Sequence, residues 1–110
     1  MKIAIESNDG KTLNSPFVPP KGYIVYDIED VNINGFEYRK KTARKRAAGR
    51  KSTKPLLEDC KTIISRGMDN RNIREMKRKG LDVFITFNTQ AKDALRAYIK
   101  ESLLNRNLVN

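Results

Sequence analysis

KTIISRGMDNRNIREMKRKGLDVFITF, Lys61 to Phe87, passes from the repeat of a strand to that of a helix and back. Lys61 to Ser65 is a short apolar run with β-branched residues, as a buried strand requires. The chain then turns through Arg66-Gly67-Met68-Asp69 into Asn70 to Lys79. There Asp69 or Asn70 can cap a helix, Ile73 and Met76 give it a narrow apolar face, and Gly80 supplies its stop. Leu81 to Phe87 predicts a third core strand. Strand, helix and strand in this order need a crossover connection, so the two strands run parallel and the helix covers a face of their sheet.

Downstream, Asn88 can cap a last helix, in which Ala91, Ala94, Leu95, Tyr98, Ile99 and Ser102 recur at helical spacing as the buried stripe. Upstream, Lys2 to Ser7, KIAIES, reads as the first and central strand, ending in the turn-forming Asn8-Asp9-Gly10. Pro16, Pro19 and Pro20 leave the next segment little room for helix or ladder hydrogen bonds. Gly22 to Ile28 and Ile33 to Arg39 predict an antiparallel hairpin, with Phe36 and Tyr38 on one face and Glu37 and Arg39 on the other. Ser52 or Thr53 before Pro55 predicts the cap and first turn of a short helix. The whole is a single α/β domain over residues 1–110, a mixed five-stranded sheet with helices on both faces and no internal repeat.

A chain of 110 residues holds one core. Of its 23 Lys and Arg, nine lie in RKKTARKRAAGRKSTK, Arg39 to Lys54, so 14 remain against 13 acids and the net charge of +10 is almost wholly local. Residues 40–53 therefore read as a basic, flexible internal loop. It is either solvated and idle, or an anion site through cations such as Arg44, Lys45 and Arg46, or a phosphate-contacting arm. The segment has no aromatic residue for base stacking, so any binding of nucleic acid would be blind to sequence and steep in salt. No run of about 18 apolar residues exists and the first ten residues lack the apolar core of a signal peptide, which predicts a soluble, cytoplasmic protein without a membrane partner. The single cysteine, Cys60, has no internal partner for a disulfide.

The same residues resemble a known family, the dinitrogenase iron-molybdenum cofactor-binding domains. MKIAIESNDGKTLNSPF is similar to that family's opening strand, Asn-Asp-Gly turn and Ser-x-His-Phe-Gly loop, and YIVYDIED to its second strand. LLEDCKTIISRGMDNRNIREMKRKGLDVFI matches its helix, Asp-Cys start of a strand, Gly-Gly-Met-Gly turn, helix and following strand, and AKDALRAYIKESL its closing helix. The resemblance implies a ribonuclease H-like three-layer fold and a non-enzymatic domain that binds or carries an anionic iron-sulfur or iron-molybdenum type cluster, with cofactor-assembly proteins as partners. Carried residue by residue, it places cofactor contacts at Asn8, Ser15, Arg66, Gly67, Met68 and Asn70; with no histidine in the chain, Cys60 is the leading candidate metal ligand, with Met68 and acids such as Asp69 as the others. Their pocket is expected where the Asn8 to Pro19 loop, the Arg66 to Asn70 turn and the Phe87 to Thr89 connection meet at the carboxyl ends of the parallel strands.

The donor chemistry departs from the family pattern. Iron clusters are held by thiolate or imidazole, and this chain has no histidine; the family's histidine loop reads Ser15-Pro16-Phe17-Val18-Pro19. Cys60 at the start of a core strand and Met68 in a turn both read as packing as well as ligands. The Arg66 to Asp69 turn offers backbone N–H groups at a helix start, but Asp69 as cap would occupy them itself. Nuclease chemistry would need clustered carboxylates, and only Glu6, Asp9 and Asp27 come near the strand ends in question. No Cys-His or Ser-His pair exists.

Overall fold

A computed structural model describes residues 1–41 and 56–104 of the chain. Arg44, Lys45, Arg46 and the expected helix cap at Ser52 or Thr53 lie outside the described residues. Five strands form one sheet: β1 Lys2–Ser7, β2 Gly22–Glu29, β3 Asn32–Lys40, β4 Thr62–Ser65 and β5 Asp82–Ile85, in the order β3-β2-β1-β4-β5. β2 runs antiparallel to β1 and β3, and β4 runs parallel to β1 and β5. The expected central strand and hairpin are both present. In the hairpin turn Asp30 takes a φ of 58°, a left-handed conformation that a short polar side chain tolerates better than most.

Two helices follow, α1 Asn70–Arg78 and α2 Ala91–Tyr98, and α2 runs on into a wider π-helical turn, Ile99–Leu104. Asp69 caps α1 by accepting a hydrogen bond from the Asn72 N–H at 2.8 Å, and Gly80, at φ +91°, makes the stop that a side chain would resist. The start of α2 differs from expectation. Its cap position is Gln90, because Asn88 turns back and donates through its backbone N–H and Nδ2 to Thr86 Oγ1.

The alternation of each strand sorts its side chains to two faces. Ile3, Ile5, Ile24, Tyr26, Ile28 and Ile64 pack with Ala91, Ala94, Leu95, Tyr98 and Ile99, so the predicted stripe of α2 is buried as far as Ile99. Ala4, Tyr23, Val25, Cys60, Ile63 and Leu81 form a second cluster, against which Met68 and Met76 of the α1 side are only partly buried. The helices thus cover opposite faces of a mixed open sheet.

Two further expectations are corrected. The strand expected over Leu81 to Phe87 is present but shorter and at the edge: Leu81 is buried and Val83 and Phe84 pack against the core, whereas β5 has four residues and Phe87 beyond it is 88% exposed because no strand or helix lies outside it among the described residues. Leu56 to Asp59 form turns rather than a helix. This return of the chain is fixed by Arg39, whose guanidinium donates to both Asp59 oxygens at 2.7 and 2.9 Å, to Glu37 Oε2 at 2.7 Å and to the Leu56 carbonyl at 3.0 Å. Arg39, the first cation of the basic run, is therefore a clamp that holds the two ends of segment 42–55 together.

Candidate functional site

Loop residues 8–21 are shaped by their own polar side chains. Asp9 accepts from the backbone N–H groups of Lys11 and Thr12 and from the Thr12 hydroxyl, all at 2.8 Å, which holds its carboxyl well below the usual carboxylate range. Asn8 Oδ1 accepts from the Lys21 N–H at 2.6 Å and so ties the start of the loop to its end. Asn14, buried, donates through Nδ2 to the carbonyls of Ser15 and Val18, and Ser15 Oγ accepts from the Phe17 N–H. Satisfied in this way, the proline-bearing stretch projects Phe17 and Val18 into solvent.

Under that loop is a cavity of about 520 Å³, within the range that holds small ligands. Its walls are residues 15–20 on one side and Gly67, Met68, Asp69, Asn72 and Met76 on the other; Glu6, Tyr23 and Lys41 complete it. The walls meet at Gly67, where a Cβ would lie 2.8 Å from Pro16 Cβ, so only glycine permits this approach.

Glu6 brings a carboxylate to an apolar strand, on the α1 face beside Tyr23, its partner in the β1–β2 register. Its Oε1 accepts from Ser65 Oγ at 2.6 Å, and Ser65 Oγ in turn accepts from the Gly67 N–H at 3.1 Å. Burial raises the Glu6 carboxyl above the usual range, opposed by the Ser65 hydrogen bond and the charge of Lys41. Burial, with the Glu6 charge adding to it, pushes the Tyr23 hydroxyl up to about 12. The Lys41 ammonium lies 5.6 Å from the centre of the Tyr23 ring, at cation–π distance.

Of the residues expected to contact a cofactor, Ser15, Gly67 and Met68 line this cavity, whereas Asn8, Arg66 and Asn70 flank it without lining it. Arg66 Nε is buried with no hydrogen-bond partner among the described residues. The Phe87 to Thr89 connection does not line the cavity either, since it leaves the sheet beyond β5 and its Thr89 carbonyl accepts from the Leu13 N–H. Cys60 is at the amino end of β4, the end away from the Ser65 to Asp69 turn. It is buried in the second cluster, and desolvation followed by the Asp59 charge pushes its thiol up to about 11. Asp27 pairs with Lys2 in register, at the opposite end of β1 from Glu6.

The cavity thus presents two thioethers, two carboxylates, a phenol and an ammonium, with neither thiolate nor imidazole. Among the described residues no group of three or more His, Cys, Asp and Glu is placed to hold a metal ion. As a ligand set for iron the lining does not fit. Sequence reasoning missed Glu6, Tyr23, Lys41, Asn72 and Met76; the legible signal was a lone carboxylate inside KIAIES, in phase with Ala4 rather than with Ile3 and Ile5.

The family profile described as dinitrogenase iron-molybdenum cofactor matches residues 1–101. The chain belongs to that family. Among solved structures, that of PH0822 superposes with a TM-score of 0.71 at 18% identity, covering 94% of this chain and 92% of that one. A Thermotoga protein, TM1290, described as a candidate NifB protein of the DUF35 family, superposes with a TM-score of 0.63 at 17% identity, covering 91% of this chain and 88% of its own. At such identities the likeness is one of fold. No curated protein is significantly similar to the chain in sequence. Among the described residues no helix is long and apolar enough to cross a membrane.

Proposed function

We propose that this member of the dinitrogenase iron-molybdenum cofactor family is a non-enzymatic binding domain whose cargo is an anionic metal–sulfur cluster, held in the cavity between the Ser15 to Pro20 loop and the Gly67 to Asp69 turn. The observation that carries the reading is the close contact of Pro16 with Gly67, which joins the two segments that resemble the family's motifs into one cavity. Its sheet order, with β2 alone antiparallel, supports the ribonuclease H-like arrangement for the domain. The separation of Asp27 from Glu6 supports a binding rather than a hydrolytic role, because paired-metal chemistry needs its carboxylates together. Its partners are then cytoplasmic proteins that build the cluster and receive it.

Anaerobic incubation with a synthetic iron–sulfur cluster or with extracted iron-molybdenum cofactor, followed by gel filtration and metal analysis, tests the reading. Retention near one cluster per chain is expected; loss of all metal on the column would refute the carrier role. The acid-free cation run Arg39 to Lys54 favours a second reading, a module that contacts nucleic-acid phosphates. Mobility shifts on generic DNA and RNA that are absent even at low salt would remove it.

A further inference from the structure

We infer that the cavity holds its cargo in the outer sphere: the metal–sulfur anion enters with its own ligands complete, and no side chain of this protein bonds to the metal. The inference rests on the carrier reading and concerns how the cargo is gripped. Its first support is the donor inventory, which is fixed by sequence for the whole chain. There is no histidine, the one cysteine is Cys60, and residues 42–55 and 105–110 contain no His, Cys, Asp or Glu.

Geometry removes the remaining candidates. Cys60 does not line the cavity, packs with Ala4, Ile63 and Leu81, and is 8% exposed, so a cluster at the Gly67 turn would have to displace core residues to reach it. Met68 and Met76 do line the cavity, but a thioether is uncharged and a poor competitor against the sulfides and thiolates that already surround iron. Asp69 Oδ1 is committed to the cap of α1 and Glu6 Oε1 to Ser65, and a hard carboxylate oxygen competes poorly with the softer thiolates that already cap the iron of a sulfide cluster.

What the cavity offers instead is a set of hydrogen-bond donors and one cation. Lys41, Tyr23 and Asn72, whose side chains carry an ammonium, a hydroxyl and an amide, all line it. These groups recognise the outside of an anion, its sulfur or oxygen atoms, without replacing any of them. Two acids face that space against one lysine, so an anion is best admitted when Glu6 is neutral, and burial already makes its proton easier to hold. A protonated Glu6 adds a further donor.

The experiment uses the full chain and a synthetic cubane iron–sulfur cluster capped with fluorinated aryl thiolates. Fluorine NMR counts the thiolate set free on mixing, while gel filtration and metal analysis count the cluster retained. Retention with no thiolate released above a protein-free control is the expected result, together with unchanged retention by Cys60→Ser. One or more equivalents of thiolate released per retained cluster would overturn the inference; release lost in Cys60→Ser would identify the thiol as ligand, and release kept would point to another side chain. Absence of any retained cluster refutes the carrier reading itself, and the inference with it, which separates that failure from thiolate release on a retained cluster.

Discussion

The two faces of the sheet are built from the same five strands and end differently. Under α2 the face is closed: Ala94 and Leu95 are fully buried, and the polar atoms of Thr62 and Tyr98 meet each other at 3.0 Å. Under α1 the sheet residues Ala4, Val25 and Ile63 are buried as well, but the helix is not: NRNIREMKR has only Ile73 and Met76 to set against them and none of its residues is buried. A helix with so narrow an apolar face packs loosely on the cluster beneath it, and the cavity lies at its amino end. The lesson is that the hole follows from weak cover and is not carved into the stable half of the molecule.

Stability and binding should therefore divide between the faces. Leu95→Ala on the closed face should cost about 2–5 kcal/mol in urea denaturation, and Met76→Ala on the open face less than half as much. Equal losses would mean that the α1 face is a core like the other. Gly67→Ala comes next, at about 1–3 kcal/mol, because the new methyl meets Pro16; cluster retention should fall further than stability does, and a variant that binds normally would dissociate the Pro16 contact from the site.

Protons sharpen the contrast. The Glu6 carboxyl is raised in the folded state, so its neutral form favours folding; that contribution is complete below the unfolded carboxyl value and is lost as pH rises through the folded value. Asp9 and Asp59 are lowered, and their contribution is present above the unfolded value and lost as pH falls. Glu6→Gln should flatten the first dependence and leave the second, as read from denaturation midpoints at a series of pH values. An unaltered profile would show that Glu6 is not buried against the cavity as described. The smallest effect is expected from neutralising Arg44, Lys45 and Arg46 together: thermal stability should be unchanged to within about 0.5 kcal/mol, while any nucleic-acid binding should lose salt dependence.

Much of this arrangement could be read from local pattern. The β1 apolar run, the β2–β3 hairpin, the cap at Asp69 and the α2 stripe each follow from residues a few positions apart. What escaped reading depends on neighbours distant in sequence. Leu81 to Phe87 is apolar enough for a core strand, and only the sheet order makes it an edge and leaves Phe87 bare. Glu6 looked like a strand terminus; the pairing of Glu6 with Tyr23 and the return of Ser65 beside it turn it into a cavity wall. Arg39 read as one of nine cations, and Asp59, 20 residues on, makes it a clamp.

Cys60 has a practical consequence. Burial pushes its thiol up and leaves it 8% exposed, and maleimide reagents need an accessible thiolate. The native thiol should therefore react slowly with maleimides. A cysteine introduced at Phe17, 92% exposed at the rim of the cavity, would take a spin or fluorescent label far faster than Cys60, and a second at Arg71, exposed in the first turn of α1, would let the distance across the mouth be followed as cargo enters and leaves.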